Sequence, residues 1–338
     1  MKTFKAFLIY GILLVLLVVG ISAGFFLKNN EKSVETVNAL SNTVADVVQT
    51  ADTSRIQSDN PMVGIAQGTD YDKVTREAVK NSGRLKEIVK KGDVVLIKPN
   101  LGAAVPSGTG NITDYRIVQA VADIVKEYGA SRVIVAETSY MGNVFNVTGY
   151  DQLTGVELVD MNEFGEKDCY KLKAENSLTG KEFYIPKIYM DADVVISAAV
   201  LKTYSLVGGT LSLKNSIGVP PNNLYGTMGG KLAFHGMGID NVIVDLNKIR
   251  KPDFAVIDGI IGGEGSGPVN NDPVNSNTVL AGSDLVAVDA VALEFMGLTL
   301  GEADHIRLAA ENGLGECDLK KITVKGAVLD TIKMKFKH

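Results

Sequence analysis

The sequence predicts an α/β domain: a mostly parallel or mixed sheet covered by helices on both faces. Three observations predict it. Short continuous apolar runs of strand length recur along the chain, segments of helical period separate them, and polar residues gather just past the ends of the runs. Strands that stay apolar at successive positions are buried on both sides, which a sheet under two layers of helices requires. Composition agrees, with 46% of the 338 residues hydrophobic and 22% charged, the balance of a core-forming chain.

Ahead of the domain, Lys2 and Lys5 precede an uncharged stretch from Ala6 to Leu27 that Lys28 closes. At about 1.5 Å per residue such a helix would span a hydrocarbon core of about 30 Å. Residues 1–28 therefore read as a transmembrane anchor. A cleaved signal peptide is the alternative, with Ile21-Ser22-Ala23 as its cleavage site, but the run continues through Gly24, Phe25, Phe26 and Leu27. The leading lysines favour a cytoplasmic N-terminus, hence a single-pass protein of the cell membrane with an extracytoplasmic domain. Residues 29–60 read as a polar stalk or linker, in which Val34, Val37, Leu40, Val44 and Val48 keep helical spacing. The α/β domain occupies residues 61–338.

Within it, Met62–Ala66 reads as a strand, Asp70–Asn81 as a helix and Asp93–Lys98 as a buried strand. Asp114–Tyr128 follows as a helix with Ile117, Val121, Ile124 and Val125 on one face, then the strand Val133–Glu137. From Gly142 to Pro186 the pattern weakens into a small polar β excursion. Ala192–Ala199, Phe254–Asp258 and Val279–Ala281 restore the strand pattern. Leu285–Met296 and Glu302–Glu311 read as helices, and Lys321–Val328 and Thr331–Lys335 as terminal strands. The net charge is -5, and five basic residues cancel five acidic ones up to Asn60, so the excess lies in the domain. With no basic stripe interleaved with aromatics, nucleic acid is excluded as a partner. The two cysteines, Cys169 and Cys317, allow one disulfide outside the cell without demanding it.

In sheets of this kind ligands bind beyond the carboxyl ends of the strands. Lys98 and Asn100 stand there, as do Glu137-Thr138-Ser139, Lys202 and Thr203, and Asp258. Asp258 leads into a loop with five glycines among residues 259–268 that also holds Glu264. Lys98, Lys202 and Lys214 each stand within two residues of Thr, Asn or Ser; such lysines either snorkel at a sheet edge or turn a charge into a cleft. Asn100, Thr203 and Asn215 would help to bind an anion. Asp289 sits in the apolar helix LVAVDAVAL, where an isolated carboxylate is costly unless paired or metal-bound, whereas Asp284 has a role as helix cap. His235, in a loop between glycines, is available for acid–base or metal chemistry; His305 reads as structural.

Taken in order, VVLIKPNL (94–101), VIVAET, LKTYSLVGGTLSLKNSIG (201–218), His235, FAVIDGIIGGEGSGP (254–268) and AGSDLVAVDAVALEFMG (281–297) resemble the bacterial and archaeal family of domain of unknown function 362. The resemblance extends from Met62 to about residue 315. The family often carries a histidine where Tyr204 stands here. Some relatives carry a ferredoxin-like module with Cys-x-x-Cys repeats, which this sequence does not contain. The resemblance thus implies a redox-linked setting for such relatives and brings no agreed reaction.

Two functions follow. The first is an enzyme on a small anionic substrate. Lys202, Lys214, His235 and Asp289 are its candidate catalytic residues, and Lys98, Asn100, Thr203 and Asn215 its substrate-binding ones. Asp258, Glu264 and Asp289 are candidate ligands for a divalent metal, with Mg²⁺, Mn²⁺ or Ca²⁺ preferred by oxygen donors. The second is a non-catalytic ligand-binding protein, or an accessory factor with a redox partner protein in an iron–sulfur or electron-transfer system.

Overall fold

A computed structural model describes residues 60–338 except Tyr140 and residues 227–230. The expected anchor and, Asn60 apart, the stalk lie outside the described residues. Among these no helix is long and apolar enough to cross a membrane.

The domain opens with β1 (Met62–Gln67), α1 (Tyr71–Ser82), β2 (Val94–Pro99), α2 (Tyr115–Glu127) and β3 (Arg132–Glu137). Next come β4 (Glu157–Asp160), β5 (Cys169–Lys173), β6 (Glu182–Pro186), β7 (Val194–Tyr204) and β8 (Gly208–Thr210). Two helices, α3 (Lys231–Gly236) and α4 (Ile239–Ile249), precede β9 (Phe254–Glu264), β10 (Asp272–Val274) and β11 (Thr278–Gly282). Then follow α5 (Leu285–Met296), α6 (Asp304–Glu311) and β12 (Thr323–Gly326). The helices start where the sequence supplies caps. Asp70 accepts from Lys73 N, Asp114 from Arg116 N and Asp284 from Ala287 N, each covering an amide that the first turn leaves unpaired.

The main sheet runs β12-β1-β11-β9-β7-β2-β3-β4, with β10 added to β9 and β8 to β7. From β9 to β4 every pairing along this path is parallel, and β11 is antiparallel to both of its neighbours. The expected mixed α/β architecture is therefore present. Successive strand residues enter opposite cores, as the pleat demands. Val95, Ile97, Val133, Val135 and Val256 pack with α1 and α2, while Leu96, Ile134, Ala255 and Ile257 pack with α4, α5 and α6.

Four segments depart from expectation. The polar excursion contributes β4 to the edge of the main sheet, and only β5 and β6 stand apart as a separate hairpin. The segment after Asp258 is not a loop, because β9 continues to Glu264 and turns back to pair with β10. Its glycines serve close packing: a Cβ at Gly259 would lie 2.8 Å from Thr278 O, and one at Gly262 2.8 Å from Leu201 O. His235 belongs to the short helix α3 rather than to a loop. Residues 329–332 form a single helical turn, so the second terminal strand is absent from 331–335.

Candidate functional site

The carboxyl ends of β2, β3 and β7, the turn after β8 and α3 enclose a cavity of about 350 Å³. Its floor is a buried ion pair. Lys98, next to last in β2, places Nζ 2.9 Å from both carboxylate oxygens of Glu137, the last residue of β3. Nζ also donates to Pro99 O and Asn215 Oδ1, and Glu137 accepts from the amides of Leu101 and Thr138. Burial lowers the Lys98 pKa and the Glu137 charge opposes that fall. Gly218 passes so close that any Cβ there would collide with both groups.

The network continues sideways. Asn215 donates to Lys98 O and Ser197 Oγ, and its Oδ1 also accepts from Asn100 Nδ2 at 3.4 Å. Asn100 Oδ1 in turn accepts from Lys202 Nζ, which further donates to Asn111 O at 2.6 Å and Pro268 O at 2.8 Å. Lys202 lies inside β7, not past its end, and reaches the cavity because the register breaks there. Val200 pairs with Asp258 but Lys202 pairs with Gly263, and the surplus residues of β9 bulge out. Burial, then the neighbouring Lys214 charge, lower the Lys202 pKa to about 7. Its three acceptors nevertheless match the three N–H groups of an ammonium.

Lys214 differs. It opens the 3₁₀ turn Lys214–Gly218, is half-buried in the cavity wall, and among the described residues its ammonium has no hydrogen-bond or ion-pair partner. Nζ lies 5.2 Å from the centre of the Tyr204 ring, against which the His235 ring stands edge-on at 6.3 Å. Burial lowers the Lys214 pKa to about 8, opposed by Asp240 and assisted by Lys98. His235 is also held below its ordinary value, by partial burial and by Lys214.

Asp289 sets the position of that lysine without entering the cavity. Its Oδ1 accepts from Ser212 N and Oγ, and its Oδ2 from Leu213 N at 2.9 Å, immediately before Lys214. Burial raises its pKa to about 7 against the pull of these donors. Asn247 fastens the same turn from α4 by donating to Leu213 O and Ser216 Oγ.

The structure thus brings together Lys98, Asn100, Lys202, Lys214, Asn215 and His235 around one cavity. Thr203 is elsewhere, because its hydroxyl donates to Gly265 O and Lys337 O. The expected metal trio is dispersed. Asp258 faces the α2 side of the sheet, accepts from Asp114 N and Ile260 N, and is raised to about 7 by burial and by Asp114. Glu264 pairs with Lys337, which lowers its pKa, and Asp289 holds the turn before Lys214. Among the described residues no three His, Cys, Asp or Glu side chains are grouped as a metal site. Sequence reasoning did not assign Glu137 or Tyr204 to the site. Glu137 stood in plain view at a strand end, and the pairing of β2 with β3 is what joins it to Lys98.

Comparisons with known proteins agree with the resemblance. A thylakoid-associated protein of Synechocystis, sll1697, is 30% identical over 201 residues, 58% of this chain and 61% of that protein. The chain thus spans about three-fifths of that relative's length. Among solved structures, the lactate racemase apoprotein of Thermoanaerobacterium thermosaccharolyticum superposes with a TM-score of 0.47 at 13% identity, over 69% of this chain and 56% of that one. A protein of Thermotoga maritima gives 0.39 at 11% identity, over 72% and 60%. Residues 95–294, more than half of the sequence, match the family described as domain of unknown function DUF362, and the chain belongs to that family.

Proposed function

We propose that the cavity at the carboxyl ends of β2, β3 and β7 binds a small anionic substrate against Lys214, with His235 moving protons. The observation that carries this reading is the Lys214 ammonium, which has no hydrogen-bond or ion-pair partner among the described residues, in a cavity wall where those residues also place two other lysines and one carboxylate. A desolvated cation without a counter-charge is costly, and an entering anion removes that cost. His235, lowered into the neutral form, can accept a proton beside it. The dispersed carboxylates give no support to a metal, so the proposed chemistry uses none of them.

The test is a thermal-shift panel of small carboxylates and oxyanions on the full-length chain and on Lys214→Met. At least one anion should stabilise the native protein in proportion to its binding and fail to stabilise the variant. Stabilisation of neither protein by any anion would sink the proposal. Solvent deuterium entering a bound anion, seen by NMR and lost in His235→Gln, would establish the enzyme. Binding without exchange or turnover would favour the accessory role. The proposed setting is a membrane surface, with residues 6–27 as the anchor. The uncharged stretch supports it, as does the thylakoid association named for the relative. Release of the full-length protein by alkaline wash would refute the anchor.

A further inference from the structure

We infer that the ligand of this cavity is an organic acid with one carboxylate and an apolar body, an aryl or branched alkyl chain, rather than a phosphate or a polyanion. This rests on the reading of the cavity as an anion site and narrows it.

Hydrogen-bonding capacity is the first argument. The Lys98 ammonium is occupied by Glu137 and two further acceptors, and all three N–H groups of Lys202 already meet protein oxygens. Among the described residues Lys214 is the one lining lysine whose N–H groups are free, and none of the lining residues is an arginine. One ammonium matches one carboxylate, whereas a phosphate dianion calls for several converging donors or a guanidinium fork.

Shape and surface are the second argument. At about 350 Å³ the cavity is in the range of sites for organic molecules, beyond the needs of an inorganic ion. The same cavity is lined by Ile217, Ile239, Val269, Leu232 and Tyr204, whose ring lies 5.2 Å from Lys214 Nζ. An inorganic ion would leave that surface wet, while an apolar chain would dry it at about 0.8 kcal/mol per methylene, or about fourfold in affinity each.

Calorimetry on the full-length chain with phenylacetate, 4-methylpentanoate, acetate, inorganic phosphate and phenylacetamide tests the inference. Phenylacetate and 4-methylpentanoate should bind at least about tenfold more tightly than acetate. Phosphate and phenylacetamide should not bind measurably. Ile239→Ala, checked for an unchanged melting curve, should weaken phenylacetate and leave acetate as it was. Phosphate binding as tightly as phenylacetate, or acetate matching it, would overturn the inference while leaving the anion site standing. Phenylacetamide binding as well as phenylacetate, or no binding by any anion, would overturn both.

Discussion

At one end of the cavity wall, Lys98 and Glu137 hold each other with both carboxylate oxygens engaged, and two backbone amides and an asparagine complete their shells. At the other end, Lys214 has no hydrogen-bond or ion-pair partner among the described residues; it lies over the Tyr204 ring and feels Asp240 only at longer range. Both are lysines on cavity-lining segments of the same sheet end, yet the first is closed to any ligand and the second is open. A charge that the fold has fully matched stabilises one arrangement of the strands. A charge left unmatched in a partly desolvated wall carries a standing cost that binding can remove.

The sharpest way to break this contrast is to unmatch the closed end. Glu137→Gln keeps the shape but leaves the Lys98 charge buried without a counter-ion. Such changes cost about 3–5 kcal/mol, and denaturant unfolding at neutral pH should show a loss of that size. A loss under about 1 kcal/mol would mean that Lys98 gives up its proton cheaply and that the pair is not what fastens β2 to β3.

A smaller effect is expected from Asp289→Asn. Two amides and a hydroxyl now point at carboxylate oxygens, and an Asn would turn an NH₂ group towards one of these donors. The expected loss is about 1–3 kcal/mol. Because Leu213 N is released directly before Lys214, anion binding should weaken as well, and Asp289→Glu should fail to restore it because a longer side chain does not fit the same turn. Unchanged anion binding in a folded Asp289→Asn protein would remove Asp289 from the positioning of Lys214.

How much of this was readable beforehand follows the kind of partner each residue has. Lys98, Asn100 and Lys202 could be picked out because polar residues at the ends of buried parallel strands face the ligand end of such sheets, whereas Lys214 and Asn215 stood out as a lysine beside an asparagine and His235 on a loop that proved to be helix α3. The fate of Asp289 could not, since its partners are mostly main-chain donors, one of them 76 residues away, and main-chain donors look alike in every sequence. Asp258 and Glu264 stand on one strand but meet different partners, and their facing depends on a pleat and a bulge that composition does not encode. The glycines of residues 259–263 read as part of a loop after Asp258, whereas they lie in β9 and allow close approach to Leu201 and Thr278. Thr203 followed Lys202 in sequence and, by the alternation of β7, left the cavity for the other side.

Acidity separates the two ends without mutation. Anion binding needs the charged form of Lys214, whose pKa is about 8. Affinity should therefore be level below that pH and fall about tenfold per unit above it. Groups acting on Lys214 are Lys98 from β2, Lys202 from β7, His235 from α3 and Asp240 from α4. Of these, His235 titrates below its usual range and Lys202 at about 7, so any step under pH 7.5 would belong to them. A pH-independent affinity between 6 and 10 would place the anion on another residue.

The smallest expected change is the most diagnostic for the open end. Lys214→Met keeps the length of the side chain and removes the charge. If Lys214 held the fold together, its loss would resemble that of Glu137→Gln. Since its ammonium has no partner among the described residues, stability should move by no more than about 0.5 kcal/mol, and removing a desolvated charge makes an increase as natural as a decrease. The same protein should lose anion binding altogether. A variant that melts several degrees lower would show that Lys214 is engaged within the fold and would erase the difference between the two ends of the wall.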